Sequence, residues 1–175
     1  MEDSGPITPT TPALEVARLA GGTEPILVNA GDSLHRLAEL AVQNLACRVL
    51  CVIDGDERLI GLISVTELLD DIFLKVVPEE FLGEIHDVPA AMRYAEHIGA
   101  RTAGDIMRPS VSVAADDTIR QAFMRLHQSG LNGLPVTDPD GRVVAYLDQL
   151  ELLMAWIDAT GRELLLQPNS DGPPA

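Results

Sequence analysis

VNAGDSLHRLAELAVQNLACRVLCVIDGDERLIGLISVTELL (residues 28–69) and VAADDTIRQAFMRLHQSGLNGLPVTDPDGRVVAYLDQLELL (residues 113–153) are two renderings of one pattern. Each runs through a polar start, an amphipathic helix, a short apolar strand, an acidic turn, a second strand and a second helix. With Ser33 set on Thr118 the helical segments superpose, and with Asp54 set on Asp138 the strands do, so the first copy holds one extra residue between them. A repeat decides the architecture before any local feature does. Two copies are too few for a solenoid, and they suit a closed pair in which each half covers the apolar face of the other.

Outward from these copies the elements follow from pattern and punctuation. Residues 13–20 predict a short helix that Gly21 and Gly22 end. Residues 24–28 predict an opening strand. Asp32 or Ser33 caps a helix over 33–45 whose apolar face carries Leu34, Leu37, Leu40 and Ala41. Residues 49–53 predict a short strand, and the turn at 54–57 returns the chain antiparallel through 59–63. Ser64 then opens a helix bearing Val65, Leu68, Leu69, Ile72 and Phe73. In the second copy Thr118 opens a helix over 118–129, strands at 134–137 and 143–147 flank the DPDG turn, and Asp148 opens the last helix. The expected organisation is a mobile N-terminal segment and short helix (1–23), the first copy (24–75), a helical insert (76–101), the second copy (102–160) and a disordered tail (161–175), the tail by composition.

Composition narrows the classes of function. Apolar residues make up 46% of the 175-residue chain, enough for a buried core, while aromatics are only 3%, so Leu, Val, Ile and Ala must do the packing. The formal net charge of −15, with no local run of Lys or Arg, repels nucleic-acid phosphates and anionic headgroups. Cys47 and Cys51 would lie about 13 Å apart along a strand, beyond the roughly 7 Å a disulfide spans. They read as small buried apolar residues in a reducing compartment. The N-terminus lacks the basic start and apolar stretch of a signal peptide, and no apolar window is long enough to span a membrane, so the expected location is cytoplasmic. His35, His86, His97 and His127 are scattered without metal-like spacing, and no nucleophile elbow, P-loop or dinucleotide-binding glycine pattern is present. No catalytic constellation emerges, and the chain is not expected to be an enzyme.

The string GDIMRPSVSVAADDTIRQAFMRLHQSGLNGLPVTDPDGRVVAYLDQLELL resembles a cystathionine-β-synthase (CBS) domain, and the first copy, ending DGDERLIGLISVTELL, is similar to a second one. The resemblance rests on a combination: a D-I-M-x-P lead-in, a helix, an L-P-V-x-D strand, a D-G-R turn and a polar residue opening the last helix. It implies an α+β fold of two pseudo-symmetric β-α-β-β-α units packed through their sheets, a tandem pair or Bateman module, with the helical insert between them. It also implies regulatory binding of adenosine nucleotides or related adenosyl ligands in clefts between the copies, and no catalysis.

In nucleotide-binding members of that family the last strand runs into a Gly-apolar-apolar-Thr/Ser-x-x-Asp pattern, where a hydroxyl and a helix N-terminus face phosphate or ribose. A helix N-terminus offers free N–H groups to an anion, and a carboxylate suits vicinal hydroxyl donors. Gly61, Leu62, Ile63, Ser64 and Glu67 match this pattern, with Glu67 in place of Asp. The resemblance adds Arg48 as a phosphate contact, with Thr102, Met107 and Pro109 from the second lead-in and Leu131 and Asn132; Ile63 and Met107 would sandwich an adenine. At the second helix start Asp148 replaces the hydroxyl, Glu151 takes the acidic place and Tyr146 fills the pocket, so a phosphate is not expected there. Ser64 with Glu67, and Asp148 with Glu151, also satisfy the plain requirements of a capping box.

The leading expectation is therefore a regulatory CBS pair that binds AMP, ADP or ATP, or S-adenosylmethionine, at the first helix start and signals to an unknown regulated protein, with no required cofactor. The alternative is a ligand-free CBS pair acting as a dimerisation or interaction adaptor. A homodimer is expected through the helical faces near Leu68, Ile72, Leu153 and Trp156, which short sheets cannot fully cover.

Overall fold

The computed structural model describes residues 7–19, 21–76 and 99–160. After α1 (Ala13–Leu19), the first copy forms β1 (Ile26–Asn29), α2 (Leu34–Gln43), β2 (Val49–Ile53), β3 (Leu59–Ser64) and α3 (Val65–Val76). After a one-turn helix α4 (Ala103–Ile106) and a two-residue strand β4 (Arg108–Pro109), the second copy forms β5 (Val113–Ala114), α5 (Ile119–Ser129), β6 (Gly133–Thr137), β7 (Val143–Asp148) and α6 (Gln149–Thr160). This is the expected α+β pair of β-α-β-β-α units. The expected helical insert lies outside the described residues over 77–98.

The strands take the order that their burial dictates. β1 alternates, with Ile26 and Val28 inward and Leu27 and Asn29 outward. β2 and β6 are central and almost wholly buried, which is why both read as unbroken apolar runs. In each copy the opening strand pairs parallel with the central strand, and the hairpin partner pairs antiparallel. The hairpin turns repeat atom for atom. Asp54 Oδ1 accepts from the N–H groups of Asp56 and Arg58 at 2.9 Å each, and Asp138 Oδ1 accepts from Asp140 at 3.0 Å and Arg142 at 2.8 Å. An aspartate that binds its own following backbone is the reason for the acidic turn in both copies.

The helices are fixed by their caps. Ser33 Oγ accepts from the Arg36 N–H, and Thr118 with Gln121 forms a full capping box. Leu34, Leu37 and Ala41 face the first core; Ala122 and Leu126 face the second. Gly130 closes α5 at φ 66°, a left-handed turn that only glycine takes without strain. The first copy has no glycine there and uses a longer connection, Asn44 to Arg48, which accounts for its extra residue.

The lead-ins are exchanged. Ala13, Val16 and Ala17 of α1 lie in the second core, whereas Ala100 and the α4 residues Ala103 and Ile106 lie in the first. The backbone bonds that hold them match in pairs. Ala13 N–H donates to Asp117 O and Ala103 N–H to Asp32 O; Ile119 N–H donates to Thr11 O and Leu34 N–H to Arg101 O. Residues 7–12, within the segment expected to be mobile, are thus bonded to the start of α5, with Pro9 O accepting from Arg120 N–H. β4 follows α4 across and pairs with β3, Gly61 opposite Pro109 and Leu62 opposite Arg108, giving the first sheet a fourth strand. The two hairpins touch where Arg58 bridges Arg142 and Leu59 N–H donates to Gly141 O at 2.9 Å.

Of the helical face expected to dimerise, Leu68 packs into the first core, Ile72 is half-buried, Leu153 points outward and the Trp156 side chain lies outside the described residues; on α3 it is Leu69 and Phe73 that point outward. α3 therefore presents the stripe one residue on from Leu68. Both cysteines are free and buried, and burial pushes both thiols above their ordinary range.

Candidate functional site

The start of α3 is assembled from three elements. Ser64 ends β3, paired with Val49, and the Val65 N–H donates to Arg48 O at 3.0 Å. Ser64 Oγ accepts from the Glu67 N–H at 3.1 Å and donates to Glu67 Oε2 at 2.9 Å, while the Ser64 N–H donates to the same oxygen at 3.3 Å. The capping box is complete. The other Glu67 oxygen forms an ion pair with the Arg108 guanidinium, which β4 carries to this point by its pairing with Leu62. Met107 lies across Gly61: a Cβ there would come within 2.6 Å of Met107 Sδ, so the glycine is what lets the lead-in close on the sheet.

The sequence-predicted residues fall into three places. Ser64, Glu67 and the Arg48 backbone meet at the α3 start, with Met107 and Pro109 beside them on β3. Leu62 and Ile63 are fully buried in the first core, so Ile63 has no exposed surface, whereas Met107 is half-buried. Thr102 caps α4 and bridges Ser33 at the start of α2, and Asn132 O accepts the Gln149 N–H at the start of α6. Leu131 is half-buried between both cores. Arg48 is exposed, and its N–H donates to the Tyr146 hydroxyl at 3.3 Å. The cation nearest Ser64 by bonding is Arg108, which the sequence reading passed over. Its signal was the x of the D-I-M-x-P lead-in, but only the register of β4 shows which carboxylate it meets.

The start of α6 has the same frame and the opposite charge. Asp148 Oδ1 accepts from the Glu151 N–H at 2.8 Å, and Glu151 accepts from the N–H groups of Asp148 at 3.0 Å and Thr23 at 3.3 Å. The first helix start pairs one carboxylate with one guanidinium; the second holds two carboxylates and, among the described residues, no ion-pair partner for either. Burial pushes the Glu151 carboxyl above its ordinary value, against the two main-chain N–H groups that pull it down, and Asp148 adds to the rise. Tyr146 is fully buried beside this start, packed over Gly133, where a Cβ would overlap its hydroxyl and ring. Among the described residues no group of three or more His, Cys, Asp or Glu is placed to hold a metal ion, and no helix is long and apolar enough to cross a membrane.

The Glu151 environment makes a pH-dependent prediction. A carboxyl whose folded pKa is raised contributes stability below its unfolded pKa, and that contribution is lost as pH climbs through the folded value. Comparing Glu151→Gln with the parent chain by thermal melting from about pH 4 to about pH 8, the difference is expected to move steadily in favour of the glutamine variant. A pH-independent difference would show that the charged form carries no burial cost here.

The fold corresponds to a known family. The CBS domain family model matches residues 22–73 and 103–158, and the chain belongs to that family. Its fold is shared with a CBS domain-containing protein from Thermotoga maritima at a TM-score of 0.67 and 23% identity, covering 88% of this chain and 98% of that one. It is also shared with the CBS domain pair of protein MJ0100 in complex with 5-methylthioadenosine and S-adenosyl-L-methionine (TM-score 0.58, 15% identity, 85% of this chain and 97% of that one). CBSX2 in complex with AMP aligns at a TM-score of 0.56 and 24% identity over 79% of this chain and 94% of that one; CBSX2 is from Arabidopsis thaliana. No curated relative matches by sequence.

Proposed function

We propose that this CBS pair is a cytoplasmic, non-catalytic regulatory module, a homodimer, that binds one adenine nucleotide per chain at the start of α3 and passes the signal to a partner protein. The observation that carries the reading is the Arg108–Glu67 ion pair beside Ser64. It leaves this helix start locally neutral and supplies a guanidinium within reach of a phosphate, where the N-terminal dipole already favours an anion. At the start of α6 two carboxylates oppose the same ligand. CBS pairs of this fold have been solved with AMP and with adenosyl ligands, which supports an adenosine-type ligand. The completed capping boxes favour a second reading, a ligand-free adaptor, because every residue of the motif already has a structural task.

Thermal melting with AMP, ADP, ATP and S-adenosylmethionine separates the two. At free nucleotide a hundredfold above its dissociation constant, stabilisation of about 2.7 kcal/mol is expected, a rise of several degrees at roughly 2–4 °C per kcal/mol. Ser64→Asp keeps a good cap and adds a repelling charge, so it should leave the unliganded melt in place and abolish the nucleotide response. An unmoved parent melt with every ligand at millimolar concentration, and silent calorimetry, would replace the sensor by the adaptor.

A further inference from the structure

We propose that the groove between α5 and α6 binds a small amphipathic carboxylate, its apolar body lying along the groove and its carboxylate on Arg120. The groove encloses roughly 730 Å³, within the range of about 300–1,000 Å³ that small-molecule sites occupy. Ile7 of the N-terminal segment, Phe123 and Leu126 of α5, and Leu152 and Leu153 of α6 give it apolar walls. Phe123 stacks nearly parallel on His127, with ring centroids 6.4 Å apart. The groove shares no residue with the start of α3, so this site is independent of the nucleotide reading.

The charge of the groove runs against the charge of the chain. Of 27 acidic residues in the sequence none is among the described residues that line it, and its two ionisable side chains, Arg120 and His127, are both basic. Arg120 is exposed and has no ion-pair partner among the described residues. The first copy differs at the same places. Setting Ser33 on Thr118 puts His35 on Arg120, Ala38 on Phe123 and Glu39 on Met124. His35 pairs with Glu39 at 3.3 Å, and Arg36 with the same carboxylate at 3.5 Å. Met124 takes that carboxylate away, and α5 carries no acidic residue at all. Setting Asp54 on Asp138 puts the buried Asp71 on Ala155, so the α6 wall lacks a carboxylate as well. The second copy has thus shed negative charge around Arg120 and gained apolar surface at Phe123. A guanidinium with no carboxylate of its own, at the rim of an apolar groove, is complementary to a ligand that supplies one carboxylate and an apolar body. From Arg120 to His127 the helix advances about 10 Å, a run that suits a medium-chain alkyl tail.

The test is calorimetric titration of the full-length chain with decanoate and with decanol, the same tail without the charge. One decanoate per chain is expected, with decanol bound about tenfold more weakly or worse. Arg120→Gln should weaken decanoate roughly tenfold and leave decanol unchanged, whereas Leu153→Gln should weaken both, since it removes apolar wall rather than charge. Both side chains are exposed, and neither replacement disturbs the core. Equal affinity for the two probes, or several molecules bound per chain, would mean plain apolar adsorption and overturn the site, as would decanoate binding that Arg120→Gln leaves intact. Absence of decanoate binding overturns it outright; if light scattering then shows a dimer that Leu153→Gln dissociates, the groove belongs to a second copy of the chain. None of these failures touches the nucleotide reading, which AMP titration of the same samples follows separately.

Discussion

Replacing Gly133 by valine is expected to cost about 3 kcal/mol of stability, since overpacking a filled core costs roughly 1–3 kcal/mol and sometimes more. The corresponding fall in melting temperature is roughly 6–12 °C. A side chain at Gly133 runs into the ring of Tyr146, which is fully buried on β7 and held at its far end by the Arg48 N–H. The first copy shows how the same space is otherwise filled. Register places Val49 where β6 has Gly133, and Leu62 where β7 has Tyr146. One copy uses a medium residue beside a medium residue, the other none beside a large one. Tyr146→Leu alone opens a cavity and should also destabilise. The double variant Gly133→Val with Tyr146→Leu restores the first copy's arrangement and should recover most of both losses, a coupling that a double-mutant cycle by chemical denaturation reads directly. Additive losses would mean that the two positions do not share the space.

The second large effect concerns Arg108. Charge reversal, Arg108→Glu, is expected to weaken AMP binding at the α3 start by about 2 kcal/mol or more, roughly thirtyfold, because a phosphate loses its cation and meets a second carboxylate beside Glu67. The unliganded protein should melt almost where the parent does. The Arg108 side chain is 58% exposed, and an ion pair this open contributes only about 0–1 kcal/mol. Calorimetric titration alongside melting separates the roles: an unchanged affinity would remove Arg108 from the site, and a collapsed melt with affinity retained would make it a structural clamp for β4.

Much of this architecture was legible because the repeat carries its own punctuation. The aspartates of the turns, the hydroxyl caps Ser33 and Thr118, and the unbroken apolar runs of β2 and β6 each have a local physical cause that a sequence displays. The approach of the second lead-in to the first copy was implied by the family resemblance alone, and the passage of α1 to the second core was not legible. Ala13–Leu19 and Ala103–Ile106 are short helices that bury only a few side chains, Ala13, Val16 and Ala17 in one and Ala103 and Ile106 in the other, and their own patterns do not say which core they enter. The outward face of α3 was read one residue out of phase, since Leu68 and Leu69 are equally apolar and only packing decides which turns inward. At the candidate site the family resemblance pointed to Ser64 and Glu67, whose spacing by itself reads only as a cap. It pointed to Arg48 rather than Arg108, because the approach of Arg108 depends on a two-residue strand whose pairing has no pattern to detect. Tyr146 was legible as a pocket filler from its size, but its complement Gly133 sits on the neighbouring strand, and that diagonal exists only in the folded sheet.

The exchanged lead-ins make the molecule a linkage rather than two beads on a string. β4 belongs to the first sheet by hydrogen bonding and to the second copy by covalent order, and Ser110, Val111 and Ser112 alone separate it from β5. That tether spans at most roughly 14 Å between Pro109 and Val113, so it has little slack to absorb a displacement. A pull on Arg108 at the start of α3 is delivered to the opening strand of the other half, and α1 ties the second half back to the first by the converse route. Neither sheet can shift without towing the segment it has borrowed.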